Sequence, residues 1–214
     1  MSKEEKHPVK NLYMSAMTTG SGLDAEIISL GLTCGNDSLY IERTDLDLEK
    51  LAKTEEMEQV LANLRMNSQE SHKETIENPD RSHLIEYKDH DYKIKIEAAE
   101  WFNEVSEFGH YKLKVWTENP VAWIFFINLT MGFEGYTPEI PEFIDPYPAD
   151  FNTLAYIFLD GQSVDDIYPQ APDIVEYNSF GRVQFIKDMI ESIFDRIIDP
   201  AKANSKISTK PTEE

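Results

Sequence analysis

Asp24-Ala25-Glu26 sets two carboxylates two residues apart. On a strand that spacing projects both side chains to one side, where they could share a hard cation such as Mg²⁺. The pair stands just beyond a Gly20-Ser21-Gly22 turn, at the start of an apolar run, where a solvated pair is the simpler reading. His7, His72, His83, His90 and His110 are scattered, with His83 and His90 in a charged stretch, so surface positions are expected. Cys34 is the sole cysteine, which excludes a disulfide framework and a cysteine-based zinc site. There is no glycine-rich phosphate loop, no Gly-x-Ser-x-Gly turn and no zinc-ligand spacing. Arg182 stands apart, because it shares a helical stripe with Ile186, Met189 and Ile193 at i, i+4, i+7 and i+11. A fixed cation on an apolar stripe is expected to point inward.

At 214 residues, 41% of them hydrophobic, the chain can bury the core of one domain of ordinary size. Its net charge of −20 repels phosphate and disfavours non-specific nucleic-acid binding. Between Lys114 and Arg182 there is no Lys or Arg but eleven Asp or Glu, a one-signed field suited to a basic partner. Residues 1–8 read as a polar leader without an apolar signal region, and the longest apolar run, Val121 to Ile127, is far short of a membrane span. A soluble, cytoplasmic protein is the expectation.

Several elements must position whatever site exists. Val9 to Met17 alternates, with Leu12, Met14 and Ala16 on one face and Tyr13, Ser15 and Met17 on the other. Ala25 to Cys34 and Ser38 to Glu42 follow, joined by a Gly35-Asn36-Asp37 hairpin signal, giving three consecutive antiparallel strands. Thr54 to Met66 reads as a helix capped by Thr54, and Glu97 to Phe108 as another, with Ala98, Trp101, Phe102, Val105 and Phe108 in period. A short charged strand is expected within Leu84 to Ile96. Tyr111 to Trp116 alternates as a strand, and Asn119-Pro120 opens a buried helix over Val121 to Met131 that Gly132 caps. Phe133 to Ala149 is proline-broken, Phe151 to Leu159 is helical, and Val164 to Pro172 is a turn or short helix. A last helix spans Ser179 to Asp199, and residues 200–214 form a flexible tail.

This element order predicts an α/β fold of the ribonuclease H-like kind, a mixed central sheet of about five strands flanked by helices, as one domain over residues 9–199. Ser15-Ala16-Met17-Thr18-Thr19-Gly20 resembles the Asp-x-Glu-Thr-x-Gly opening motif of the DEDD-type 3′–5′ exonucleases, and Gly20-Ser21-Gly22 resembles its form in the exonuclease A group of T-even bacteriophages. Ile27-Ile28-Ser29-Leu30-Gly31 is similar to that family's second strand. Asn119 to Phe126 matches the second motif with Ala122 at the Asp position, and Asp150-Phe151-Asn152-Thr153-Leu154 resembles a later family segment. Tyr177-Asn178-Ser179-Phe180-Gly181-Arg182 keeps the His-x-x-x-x-Asp spacing of the third motif, with Tyr177 for the His and Arg182 for the Asp. Residues 43–93 match nothing in the family and read as an insertion or variable region.

The resemblance implies a site for two Mg²⁺ ions about 3.5–4 Å apart, held by four carboxylates. Here Ser15 offers one neutral oxygen, Met17 a soft thioether and Ala122 no ligand, while Arg182 puts a positive charge where a cation would sit. The expectation is therefore a pseudo-exonuclease without catalysis, metal or cofactor, phage-encoded, acting in the host cytoplasm by binding a protein whose surface is basic. A second reading is an acidic nucleic-acid mimic using the base-free segment from Val115 to Gly181. A third is residual binding of a nucleotide or strand end, with Arg182 standing in for metal charge and Tyr177 stacking.

Overall fold

A computed structural model of the chain describes residues 7–20, 25–51, 54–66, 70–77, 82–118, 122–124, 126–127, 140–158 and 177–198. The leader to residue 6, Asp24, the Asn119-Pro120 helix start, the Val164 to Pro172 segment and the C-terminal tail lie outside the described residues. Strand β1 (Val9–Thr18) pairs antiparallel with β2 (Ile27–Cys34), and β2 with β3 (Asp37–Arg43), as their alternation predicts. Gly35, at φ +62°, supplies the left-handed step of the β2–β3 hairpin that a side chain would strain. Helix α1 (Leu48–Leu51) is a single turn, and α2 (Glu55–Ala62) starts at Thr54, whose Oγ1 accepts from the Met57 N–H at 3.2 Å. Three glutamates in its first turn favour the positive end of the helix dipole.

The sheet has seven strands in the order β4-β5-β3-β2-β1-β6-β7, rather than about five. Strand β5 (His83–Asp89) is the short charged strand expected within Leu84 to Ile96, whereas β4 (His72–Glu77) was not expected; both come wholly from the segment that resembled nothing. Strand β5 runs parallel to β3, and β4 closes that edge antiparallel to β5. On the opposite side β6 (Lys112–Thr117) runs parallel to β1, followed by a two-residue β7 (Ala149–Asp150). The result is a mixed sheet flanked by helices, a general α/β architecture.

Leu12 and Met14 of β1 face the central apolar cluster under α3 (Asp91–Val105) and the helical residues 122–124 and 126–127. Tyr13 faces the other way, against Phe151 of α4 (Phe151–Phe158) and the long α5 (Ser179–Ile198). The two faces of β1 expected from alternation are thus the two halves of the core. Helix α3 begins at Asp91, six residues before Glu97. It also stops at Val105, so Phe108, expected on its stripe, sits in a left-handed turn at φ +55° and is exposed. Asp89 anchors the helix start. Burial acts to raise its pKa, but the His90 N–H, Lys93, Ser71 and the His90 ring outweigh this and hold the carboxyl at about 2.

The buried stripe of α5 is Val183, Ile186, Ile190 and Ile193, one step round from the expected Arg182–Ile186–Met189–Ile193 line. Arg182 and Met189 border it. A polar seam fixes the helix to β2 as well. Ser179 Oγ donates to Ser29 Oγ at 2.9 Å, Gln184 Nε2 to Thr33 Oγ1 at 2.7 Å and Lys187 Nζ to the Gly35 carbonyl at 2.8 Å. Among the described residues no helix is long and apolar enough to cross a membrane.

Candidate functional site

The β1–β6 pairing places Met14 beside Thr117, so one step further along both strands Ser15 meets Glu118. The Ser15 hydroxyl, fully buried, donates to Glu118 Oε1 at 2.6 Å. The same oxygen lies 3.1 Å from Nε of Arg182, carried in by the first turn of α5. Asn152, in the first turn of α4, donates its side-chain N–H to the Glu118 carbonyl, and Asp150 caps that helix through the Asn152 N–H at 2.9 Å. Two parallel strands and two helix starts therefore converge on one residue, Glu118, with Ser15 and Arg182 at its carboxylate and Asn152 at its backbone carbonyl.

Of the positions singled out in the sequence, Ser15 and Arg182 come together through Glu118. Met17 and Tyr177 share a separate apolar cluster with Ile28, Val60 and Met57. That cluster is made by packing α2, from the unmatched segment, across the end of β1. Ala122 belongs to neither group; it is buried with Trp123 and Phe126 in the central cluster. Glu118 was missed by sequence reasoning, which looked for an acid four residues later, at Ala122. A signal existed: Glu118 directly follows β6 and precedes Asn119-Pro120, but only the parallel β1–β6 register reveals what it faces.

Chemically the arrangement is a neutralised lock. One carboxylate oxygen accepts the Ser15 hydrogen bond and lies 3.1 Å from the Arg182 guanidinium, whose charge balances it. Ser15 is sealed from solvent, and Cys34 is nearly so, its thiol pushed up to about 11 chiefly by burial. All five histidines are exposed, and Glu26 pairs with Arg43 at 3.4 Å. Among the described residues no group of three or more His, Cys, Asp or Glu side chains is placed to hold a metal ion.

Removing the cation tests the lock. Arg182→Met strands Glu118, whose side chain is 7% exposed, and is expected to cost about 2–4 kcal/mol in urea unfolding. Adding Glu118→Gln to that variant should return most of the loss. A double variant no more stable than the single one would mean that the ion pair is not what Arg182 contributes.

No family model matches this chain, and no curated protein matches it either.

Proposed function

We propose that this chain is a ribonuclease H-like pseudo-exonuclease of phage origin that works by binding a protein rather than by cleaving nucleic acid. The observation that carries the reading is the Ser15–Glu118–Arg182 lock: two of the degenerate motif positions meet, and they meet around a carboxylate already neutralised. The element order is in keeping with it. Three antiparallel strands are followed by a parallel strand beside the first and, at the end, by a long helix whose first turn returns to the same place. Packing α2 over Met17 and Tyr177 fills the neighbouring volume with apolar side chains, which supports occlusion in place of substrate access. The same contact weakens the strand-end reading, since the Tyr177 ring is engaged in that cluster.

For nucleic-acid mimicry the described acids between Val115 and Gly181 divide: Glu118 pairs with Arg182, Asp145 with Lys114 at 3.0 Å and Asp150 caps α4, while Glu142 is exposed.

A nuclease assay tests the proposal directly. End-labelled single-stranded RNA and DNA, incubated with the chain and Mg²⁺ or Mn²⁺, should show no shortening above a metal-free control. Shortening that disappears in Ser15→Ala or Arg182→Met would overturn it, because the lock would then be an active site.

A further inference from the structure

We propose that the outer edge of β4, with the mouth of the cleft over its α3-facing side, forms a docking site for an extended basic segment of a partner protein, which joins the sheet as an eighth strand. The proposal rests on the protein-binding half of the reading above and does not depend on the loss of nuclease chemistry. Strand β4 is terminal in the sheet, and among the described residues its only strand partner is β5. Its six residues are exposed apart from the half-buried Ile76. An edge of this kind presents a row of main-chain donors and acceptors.

The edge has a chemical preference. A cleft of about 470 Å³ lies between α3, which contributes Glu104, and the sheet, opening at Lys73, Thr75 and Glu77 of β4 and extending inward over β5 and β3. Lys73, Thr75 and Glu77 alternate, so an added strand would project every second side chain toward the same face. The cation already there is committed, since Lys73 Nζ lies 2.6 Å from Glu97 Oε1. His83 is likewise held at 3.2 Å by Asp37. Glu77 and Glu104 are exposed and make no ion pair among the described residues. Lysine or arginine at alternate positions of an incoming segment would balance those two carboxylates, their stems lying along the apolar wall of the cleft. Charged edge strands ordinarily prevent indiscriminate pairing. Here the charge rejects an acidic or plain apolar strand and admits a basic one, which is specificity by exclusion.

The test uses the full chain and a fluorescent peptide, Thr-Lys-Val-Lys-Val-Lys-Val-Lys-Thr, followed by anisotropy. Two isomers carry N-methyl groups on one or the other alternate set of backbone amides, and a control peptide has Glu for every Lys. The lysine peptide should bind, the glutamate peptide should not, and Glu77→Gln with Glu104→Gln should weaken binding about tenfold. Only one of the two N-methyl isomers should lose binding, because an added strand pairs through one set of amides. Equal binding of both isomers, or no effect of the glutamate substitutions, would overturn the docking site. Capture of a protein partner that survives the glutamate substitutions would also overturn it, while leaving the protein-binding reading intact.

Discussion

Gly31→Ala is expected to destabilise the fold by about 3 kcal/mol or more, lowering the melting temperature by about 6–12 °C. Gly31 lies mid-strand in β2, and a Cβ there would stand 2.4 Å from the Ser179 carbonyl oxygen, 2.8 Å from its carbon and 3.0 Å from the Phe180 Cα. All three are backbone atoms, so no side chain can rotate away. The start of α5 cannot withdraw either. Asn178 Oδ1 accepts from the Phe180 and Gly181 N–H groups at 2.9 and 3.2 Å, and Ser179 is bonded to Ser29. Strand β2, buried along its whole length, has no room on its other face. Gly20→Ala is the matched control, because a Cβ at Gly20 meets nothing within 4 Å, and it should change stability by no more than about 0.5 kcal/mol. A calorimetric loss at Gly31 no larger than at Gly20 would mean that strand and helix do not approach so closely. The consequence for the site is direct, since this contact sets where α5 begins and hence where Arg182 reaches Glu118.

How much of this was legible beforehand depends on the range of the interaction. Strand β1 declared itself because its apolar residues alternate, and each face found its own half of the core. Thr54 and Gly35 were readable because a cap and a left-handed turn are local chemistry. Strand β4 was not. His-Lys-Glu-Thr-Ile-Glu has no apolar face, and it is a strand only because β5 offers it a ladder. The start of α3 was hidden for a similar reason: Asp91 to Ile96 is charged, and what fixes the helix start there is Asp89, from the end of the preceding strand. Leu30-Gly31-Leu32 reads as a strand, but nothing nearby in sequence says that a helix backbone will press on its glycine.

The site divides along the same line. Arg182 could be judged inward-pointing from its stripe alone, and it lies at the border of the buried face, within reach of a carboxylate. Which carboxylate could not be judged, because Glu118 meets Ser15 through the parallel pairing of strands separated by three helices and four other strands. Beside the buried Ser15–Glu118–Arg182 cluster, α2 packs apolar side chains over Met17 and Tyr177, so these two motif positions, which do not reach Glu118, are held by a helix the motifs do not include.

Lys88→Met is expected to be the most damaging single change that removes no apolar packing, costing about 3–5 kcal/mol in urea unfolding. Lys88 Nζ donates to Glu42 Oε2 at 3.0 Å and to the Met66 carbonyl at 2.6 Å, with both charged side chains almost wholly buried. Glu42 Oε1 also accepts from the Tyr40 hydroxyl at 2.6 Å and from the N–H groups of Arg65 and Met66 at 2.7 and 3.0 Å. Burial, and then the Glu42 carboxylate, push the Tyr40 phenol well above its ordinary value, so it stays a donor. Asn178 extends the network, donating to the Tyr40 oxygen at 3.3 Å and to the Asn63 carbonyl. One buried carboxylate thus ties the chain leaving α2 to β3, β5 and the start of α5. Without Lys88 the three remaining donors leave a net charge in a dry place, which they soften but do not cancel. Adding Glu42→Gln removes that charge, and the double variant should recover about half of the loss, because the neutral amide still accepts from the same donors. Hydrogen exchange gives the local readout: the Arg65 and Met66 amides should exchange faster in Lys88→Met than those of β1, since α2 would loosen from the end of β1 before the sheet opens. If instead the double variant is as unstable as the single one and exchange rises evenly, Glu42 is not the clasp that keeps α2 closed over Met17 and Tyr177.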